Sequence, residues 1–338
     1  MKTRNTGRQR QRRELLELCV AAFLASGATG AWPLAGRAQQ PAAKIPRVGI
    51  LTAADSDRTP IFDAFRDGLG ELGYVEGRNI ILEFRLAHGD FTLLPRLAEE
   101  LVNLPADIIV ADNGLDLLAR ATRTTPIVAV MGDPMSFGIS SLSRPGGNIT
   151  GFSLMHRELS AKRLEMLRTA FPDISAVAVL RNPSTPASAT TFRATEEAAR
   201  SIGSVTLATV LAGSVGDLLA LRPAVFAGVS GVVVLGDALF WNHRRDIVAL
   251  VSAARLPAIY PEREYVEDGG LMAYGTNVPD TFRRMAGYVD RILKGANPAD
   301  LPVQQPVKFD FVVNLKIAQE LGLTIPPAIL ARADEVIE

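Results

Sequence analysis

Residues 107–131 read DIIVADNGLDLLARATRTTPIVAVM, the pattern of one strand–helix–strand unit. The first five open on Asp107 and continue as a short apolar run, IIVA, without polar alternation. A strand has that composition when helices cover both faces of its sheet, as they do in parallel sheets. Asp112-Asn113-Gly114 supplies turn chemistry, and residues 115–122 carry leucines at helical spacing. Pro126 then opens a second apolar run ending at Met131, and Asp133-Pro134 stops it.

The same unit recurs on both sides. Upstream, residues 47–51 (RVGIL) form a strand followed by a polar loop over 52–59. A helix comes next, marked by Phe62, Phe65, Leu69 and Leu72 and stopped by Gly73; Gly68-Leu69-Gly70 inside it is given no weight as a nucleotide loop. Residues 79–86 and 93–104 make a second strand and helix. Residues 144–151 (RPGGNITG) break the rhythm and read as a boundary. Beyond them the alternation restarts: helix 159–171, strand 176–180 (AVAVL), helix 187–202, strand 205–211, helix 215–226, strand 231–235 (GVVVL) and helix 244–255. Residues 257–260 and 270–274 are short strand-like pieces, 281–293 a helix and 296–306 a Pro-rich crossing, before a last amphipathic unit. Two rounds of such units predict an α/β fold of two Rossmann-like lobes with open, mostly parallel sheets. A length of 338 residues suits two domains better than one.

Hydrophobic residues make up 48% and aromatic ones 6%, which points to cores of Ala, Val, Leu and Ile. The first 38 residues hold seven Lys/Arg and two Asp/Glu, leaving 29 basic against 34 acidic residues in the remainder. That mildly acidic body gives no electrostatic reason to bind nucleic acid. Residues 1–38 have the three parts of an export signal: a positive start, an apolar stretch over 18–34, and the small-x-small site Gly36-Arg37-Ala38. Removal would leave Gln39 first, and Arg12-Arg13-Glu14-Leu15-Leu16 resembles the twin-arginine export pattern. The alternative is an uncleaved membrane anchor. Cys19, the one cysteine, lies in this leader, so the exported chain is expected to have no disulfide and no thiolate nucleophile.

Doubly wound sheets bind ligands at the carboxyl ends of their strands. Polar residues gather there: Thr52 to Asp57, Asp112-Asn113, Asp133, Arg181-Asn182 and Asp237. The candidate ligand-binding set is Thr52, Asn113, Asp133, Asn182, Asp237 and Tyr265. Each has a structural alternative. Asp133 and Asp237 either accept from a ligand or cap the helices that follow. Asn182 before Pro183 and Thr52 either face a cleft or start turns. Tyr265 and Trp241 either stack on a ligand or pack. Arg144 to Asn148 either shape a hinge or make a tight turn. His88, His156 and His243 are not at metal spacing and read as solvated or hydrogen-bonded loop residues. With no G-x-G-x-x-G after the first strand, no P-loop and no G-x-S-x-G, the expectation is no catalytic residue, no metal and no cofactor.

Residues 38–41 (AQQP), 45–51, 69–78 (LGELGYVEGR), 126–151 and 256–338 closely resemble the bacterial ABC-transporter substrate-binding proteins related to tryptophan and tyrosine uptake receptors. The match is densest in GGLMAYG (269–275), in 291–323 and in RADEVIE (332–338). The resemblance implies a type I periplasmic-binding-protein fold: a first lobe of 39–151 plus about 270–296, a second of 152–269 plus about 297–338, and a hinge of several crossings. It also implies a monomer outside the cytoplasmic membrane that delivers a small solute, an amino acid or similar molecule, to an inner-membrane permease. Thr52, Asp133, Asn182 and Asp237 match the family's strand-end positions. After the third strand relatives usually carry small residues, where this chain has Asp112-Asn113-Gly114. The rival expectations are an enzyme on a two-lobed α/β scaffold, and a sensory or effector-binding receptor without transport.

Overall fold

The computed structural model describes residues 44–338, so the expected export signal lies outside the described residues. The first lobe runs β1 (Arg47–Thr52), α1 (Pro60–Glu71), β2 (Ile81–Leu86), α2 (Leu94–Asn103), β3 (Ile108–Ala111), α3 (Leu115–Ala121), β4 (Ile127–Met131) and β5 (Ile149–Ser153). Its five strands are all parallel, in the order β2–β1–β3–β4–β5. Successive strand residues serve opposite faces, because side chains alternate across a pleated sheet. Val48 and Ile50 pack with Phe62, Phe65 and Leu69 on one face. Leu51 packs with Leu97, Leu101 and Leu118 on the other.

β5 falls partly inside the stretch that the sequence marks as a boundary. Its Gly151 has φ +144°, and a Cβ there would lie 1.9 Å from the carbonyl oxygen of Ala129 on β4. Only glycine allows that approach, and the same glycine makes the stretch read as a breaker.

The second lobe continues with α4 (His156–Ala170), β6 (Ala176–Arg181), α5 (Pro186–Ile202), β7 (Thr206–Leu211), α6 (Val215–Ala220), β8 (Gly231–Val234), α7 (Ala238–Asn242), α8 (Arg244–Ala253), β9 (Ala258–Tyr260), α9 (Glu264–Glu267) and β10 (Met272–Thr276). The expected helix over 215–226 is broken before Pro223, which opens a separate 3₁₀ turn. The chain then returns to the first lobe as α10 (Val278–Leu293) and comes back as β11 (Phe309–Asn314), α11 (Leu315–Leu321), α12 (Pro327–Leu330) and β12 (Glu335–Ile337). The second sheet has the order β12–β11–β10–β9–β8–β6–β7, with β10 and β11 antiparallel and the other neighbours parallel.

The exchange between lobes differs from the expected boundaries. β10, expected with the first lobe, pairs with β9 and β11 in the second sheet. Leu301 and Val303, expected with the second lobe, pack into the two cores of the first. The three connections run side by side. Thr276 Oγ1 donates to the Leu154 carbonyl at 3.0 Å. Ser153 N donates to the carbonyl of Gln304 at 2.8 Å, and Asn277 N to that of Lys308 at 3.1 Å.

Candidate functional site

In each sheet the strand order reverses once, between β1 and β3 in the first and between β6 and β8 in the second. The helices that follow the two strands of such a pair leave on opposite faces, which opens a crevice at their carboxyl ends. In the first lobe that crevice holds Thr52, Asp112 and Asn113. Thr52 Oγ1 donates to Asp112 Oδ2 at 2.7 Å and accepts from Ala54 N at 3.1 Å. Asn113 Oδ1 accepts from Ala53 N at 2.7 Å. Burial pushes the Asp112 carboxyl up to about 6, against the opposing pull of the Thr52 hydroxyl.

In the second lobe the crevice holds Asn182 and Asp237. Asn182 Nδ2 donates to Asp237 Oδ1 at 3.0 Å, and Asn182 Oδ1 accepts from Ser184 N at 2.9 Å. Asp237 also accepts from Thr185 Oγ1 at 3.0 Å and, as the N-cap of α7, from Leu239 N at 2.9 Å. Burial raises its pKa, while these donors oppose the rise.

Asp133 ends β4 and caps the 3₁₀ turn Pro134–Phe137, accepting from Met135 N at 3.1 Å. Its second oxygen, Oδ2, accepts from Thr190 Oγ1 of α5 at 3.1 Å. That bond runs from one lobe to the other. The structure therefore brings Thr52 and Asn113 together in one crevice, Asn182 and Asp237 in the other, and places Asp133 against the opposite lobe. Tyr265 lies behind Asp237, whose charge acts on its hydroxyl, with its ring packed in the core. It is fully buried in the core of the second lobe and stacks on Tyr260, with ring centroids 5.1 Å apart and planes 17° off parallel.

The sequence reading passes over a second group of residues. His156 opens α4 just after the first connection and is buried, unlike the expected loop histidine. It sits between Gly132 and Gly236, the residues before Asp133 and Asp237. A Cβ would come within 2.7 Å of its imidazole at Gly132 and 2.6 Å at Gly236, so both glycines are needed to admit the ring. Burial, helped by the positive charge of Arg163, holds the imidazole neutral with a pKa of about 3. His156 Nε2 lies 3.7 Å from Glu262 Oε1.

Glu262 follows β9, at 7% exposure. Burial pushes its carboxyl up to about 8, with Glu264 and Asp237 adding to the rise and Arg163 and Arg244 opposing it. Arg163, 1% exposed, donates from Nε to the Tyr274 carbonyl at 2.7 Å and from Nη2 to that of Pro261 at 3.3 Å, tying the residue after β9 to the middle of β10. Arg163 Nη1, His156 Nε2 and Tyr265 Oη are buried without a hydrogen-bond partner among the described residues. Glu262 obeys the rule that nominates Asp133 and Asp237, since it stands just beyond a strand. That strand is three residues long and shows in the sequence as the strand-like piece over 257–260, but the carboxylate beyond it is passed over there.

Among the described residues no group of three or more His, Cys, Asp or Glu could hold a metal ion, and no helix is long and apolar enough to cross a membrane.

The family described as ABC transporter substrate binding protein matches residues 48–337. A tyrosine-binding protein of Clostridioides difficile is 24% identical over 258 residues, which span 74% of this chain and 73% of that protein. Among solved structures, a conserved domain protein of Vibrio cholerae superimposes with a TM-score of 0.80 at 26% identity, covering 87% of this chain and all of that one. The ABC domain of Streptococcus pneumoniae in complex with L-Trp gives the same TM-score and identity, covering 86% of this chain and 99% of that one.

Proposed function

This chain belongs to the ABC transporter substrate-binding protein family, and from that premise we propose that it is an extracytoplasmic receptor that closes on an amino acid, aromatic or similar, for an inner-membrane permease. The observation that carries the reading is the meeting of Asp133 and Thr190 between two lobes that each have a strand-order reversal. Ligands bind at such reversals, so a solute held between the lobes would touch both crevices. The likeness to a structure holding L-Trp and to a tyrosine-binding protein supports an aromatic amino acid as the first solute to try.

Binding works by differential affinity. The ligand favours the closed arrangement because only there do both lobes touch it, and the three adjacent connections absorb the rotation. Of the candidate ligand residues, Thr52, Asn113 and Asn182 retain unused hydrogen-bonding capacity beyond their local bonds. The receptor is a monomer without catalytic turnover. Thermal-shift screening of the purified chain against amino acids, nucleosides, sugars and small carboxylates tests this reading. The expected result is stabilisation by an amino acid at one-to-one stoichiometry, with the solute recovered unchanged. Recovery of an altered molecule overturns the receptor reading in favour of an enzyme.

A further inference from the structure

We propose that Glu262 holds the ammonium group of the ligand and gives up a proton to the solvent as the ligand binds. The proposal rests on the receptor reading above and assigns one end of the ligand to a residue. The aspartates at the strand ends already have partners. Asp133 accepts from Met135 N and Thr190, Asp237 from Leu239 N, Asn182 and Thr185, and Asp112 from Thr52. Glu262 is buried beside the lobe junction, with its Oε1 3.7 Å from His156 Nε2. Around it stand three buried polar atoms without a hydrogen-bond partner among the described residues: His156 Nε2, Arg163 Nη1 and Tyr265 Oη. Buried polar groups are nearly always paired in a working protein, so three unpaired ones around a buried carboxyl mark a position built for a polar guest. His156 reaches this position from between Gly132 and Gly236, at the carboxyl ends of strands from both lobes.

The surrounding charges select the sign of that guest. Arg163 and His156 face Glu262 from α4, Asp237 from the start of α7, Arg244 from α8, and Glu264 and Tyr265 from α9. His156 is neutral, and the other two carboxyls resist ionisation of Glu262. A third cationic group beside Glu262 reverses that balance. An ammonium donates to the carboxylate and favours its ionised form, and Arg163 Nη1 remains as a donor to an oxygen of the same ligand. The Glu262 O–H bond breaks, the proton passes to buffer, and the carboxylate accepts an N–H in its place.

The sign of the pH dependence follows. With a free pKa of about 8, Glu262 is mostly neutral near pH 7 and ionised once the ammonium is bound. Affinity should therefore rise about tenfold per pH unit below pH ~8, and fall again where the ligand's own ammonium loses its proton. A ligand without an amine should show neither effect.

The experiment is calorimetric titration of the full chain with L-tyrosine, L-tryptophan and their desamino propanoate analogues, near pH 7 in phosphate and in Tris. The two buffers differ in ionisation enthalpy, so released protons are counted directly. The amino acid should release close to one proton and the desamino analogue none. Glu262→Gln should weaken the amino acid by about ten- to 150-fold and abolish the release. Unchanged affinity and proton count in Glu262→Gln overturns the proposal and leaves the amino-acid receptor standing. Equal enthalpies in the two buffers overturn it from the wild-type chain alone, whether or not the variant folds. Binding of desamino acids or sugars but of no amine removes the ammonium site while keeping a solute receptor. Binding of no amino acid, sugar or carboxylate removes both.

Discussion

Asp133 and Asp237 each follow a glycine at a strand end, and each accepts the backbone N–H two residues on. Asp237 adds two side-chain donors from its own lobe, whereas Asp133 adds one from the opposite lobe. Asp237→Ala should thus lower stability by about 0.5–2 kcal/mol for the lost cap alone, read by urea denaturation of the ligand-free chain. The two titrating groups behind them act in opposite directions on stability. His156 has a folded pKa of about 3 against an ordinary 6.5, so between those values the unfolded chain binds a proton that the folded chain refuses. Stability should fall as pH drops through that window. Glu262 has a folded value of about 8 against 4.5, so the folded chain holds the extra proton and stability should fall as pH rises from 4.5 to 8. Melting temperature against pH tests both. His156→Asn should flatten the acid limb and Glu262→Gln the neutral one, and unaltered profiles would remove the buried titrations. Strand-end rules make the positions of Thr52, Asp133, Asn182 and Asp237 legible in the sequence. Their partners are not, because Thr190 lies 57 residues from the aspartate it meets, on an element of the other lobe.

Helices α1 and α10 come from segments more than two hundred residues apart and pack through Gly68. A Cβ at Gly68 would lie 2.3 Å from the Arg283 carbonyl oxygen. Backbone cannot yield as a side-chain tip can, so Gly68→Ala should destabilise by about 1–3 kcal/mol through forced separation of the two helices. Gly70, two residues on, is exposed with nothing within 4 Å of its added Cβ. Gly70→Ala should stabilise by about 0.5–1 kcal/mol, since it only reduces the freedom of the unfolded chain. Denaturant midpoints of the pair separate close approach from helix propensity, and equal shifts would refute the contact. The Gly-Leu-Gly pattern thus has a packing role that no local reading could reveal. The long apolar runs were legible for the same reason that they are buried: parallel strands covered on both faces have no polar alternation. β5 was hidden by the glycine that lets it approach β4, and β12 by being an edge strand of three residues, Glu335–Ile337, with no continuous apolar run.

At the scale of the whole molecule, the two lobes meet where Asp133 accepts from Thr190 and where Phe91 packs against the hydrophobic cores of both. Under the proposed mechanism these contacts favour the closed arrangement before any ligand arrives. They must be weak, because a receptor that closes too firmly cannot admit its solute. A single neutral-donor hydrogen bond at a partly wet junction has about the right size, ~0.5–1.5 kcal/mol. Thr190→Val removes the hydroxyl while keeping the branched shape; the side chain is partly exposed, and its single hydroxyl proton is shared between Asp133 and the local Ala187 carbonyl. Global stability should therefore change little. The apparent dissociation constant of a receptor equals its intrinsic value divided by the fraction in the competent state. Losing the bond should accordingly weaken binding by about two- to tenfold, with no change in the contacts made to the ligand itself. Small-angle scattering of the ligand-free variant should show a larger radius of gyration, and saturating ligand should restore the wild-type value. Weaker binding with an unchanged ligand-free radius would place Thr190 among the ligand contacts. Wild-type values of both would show that the lobes do not depend on this bond.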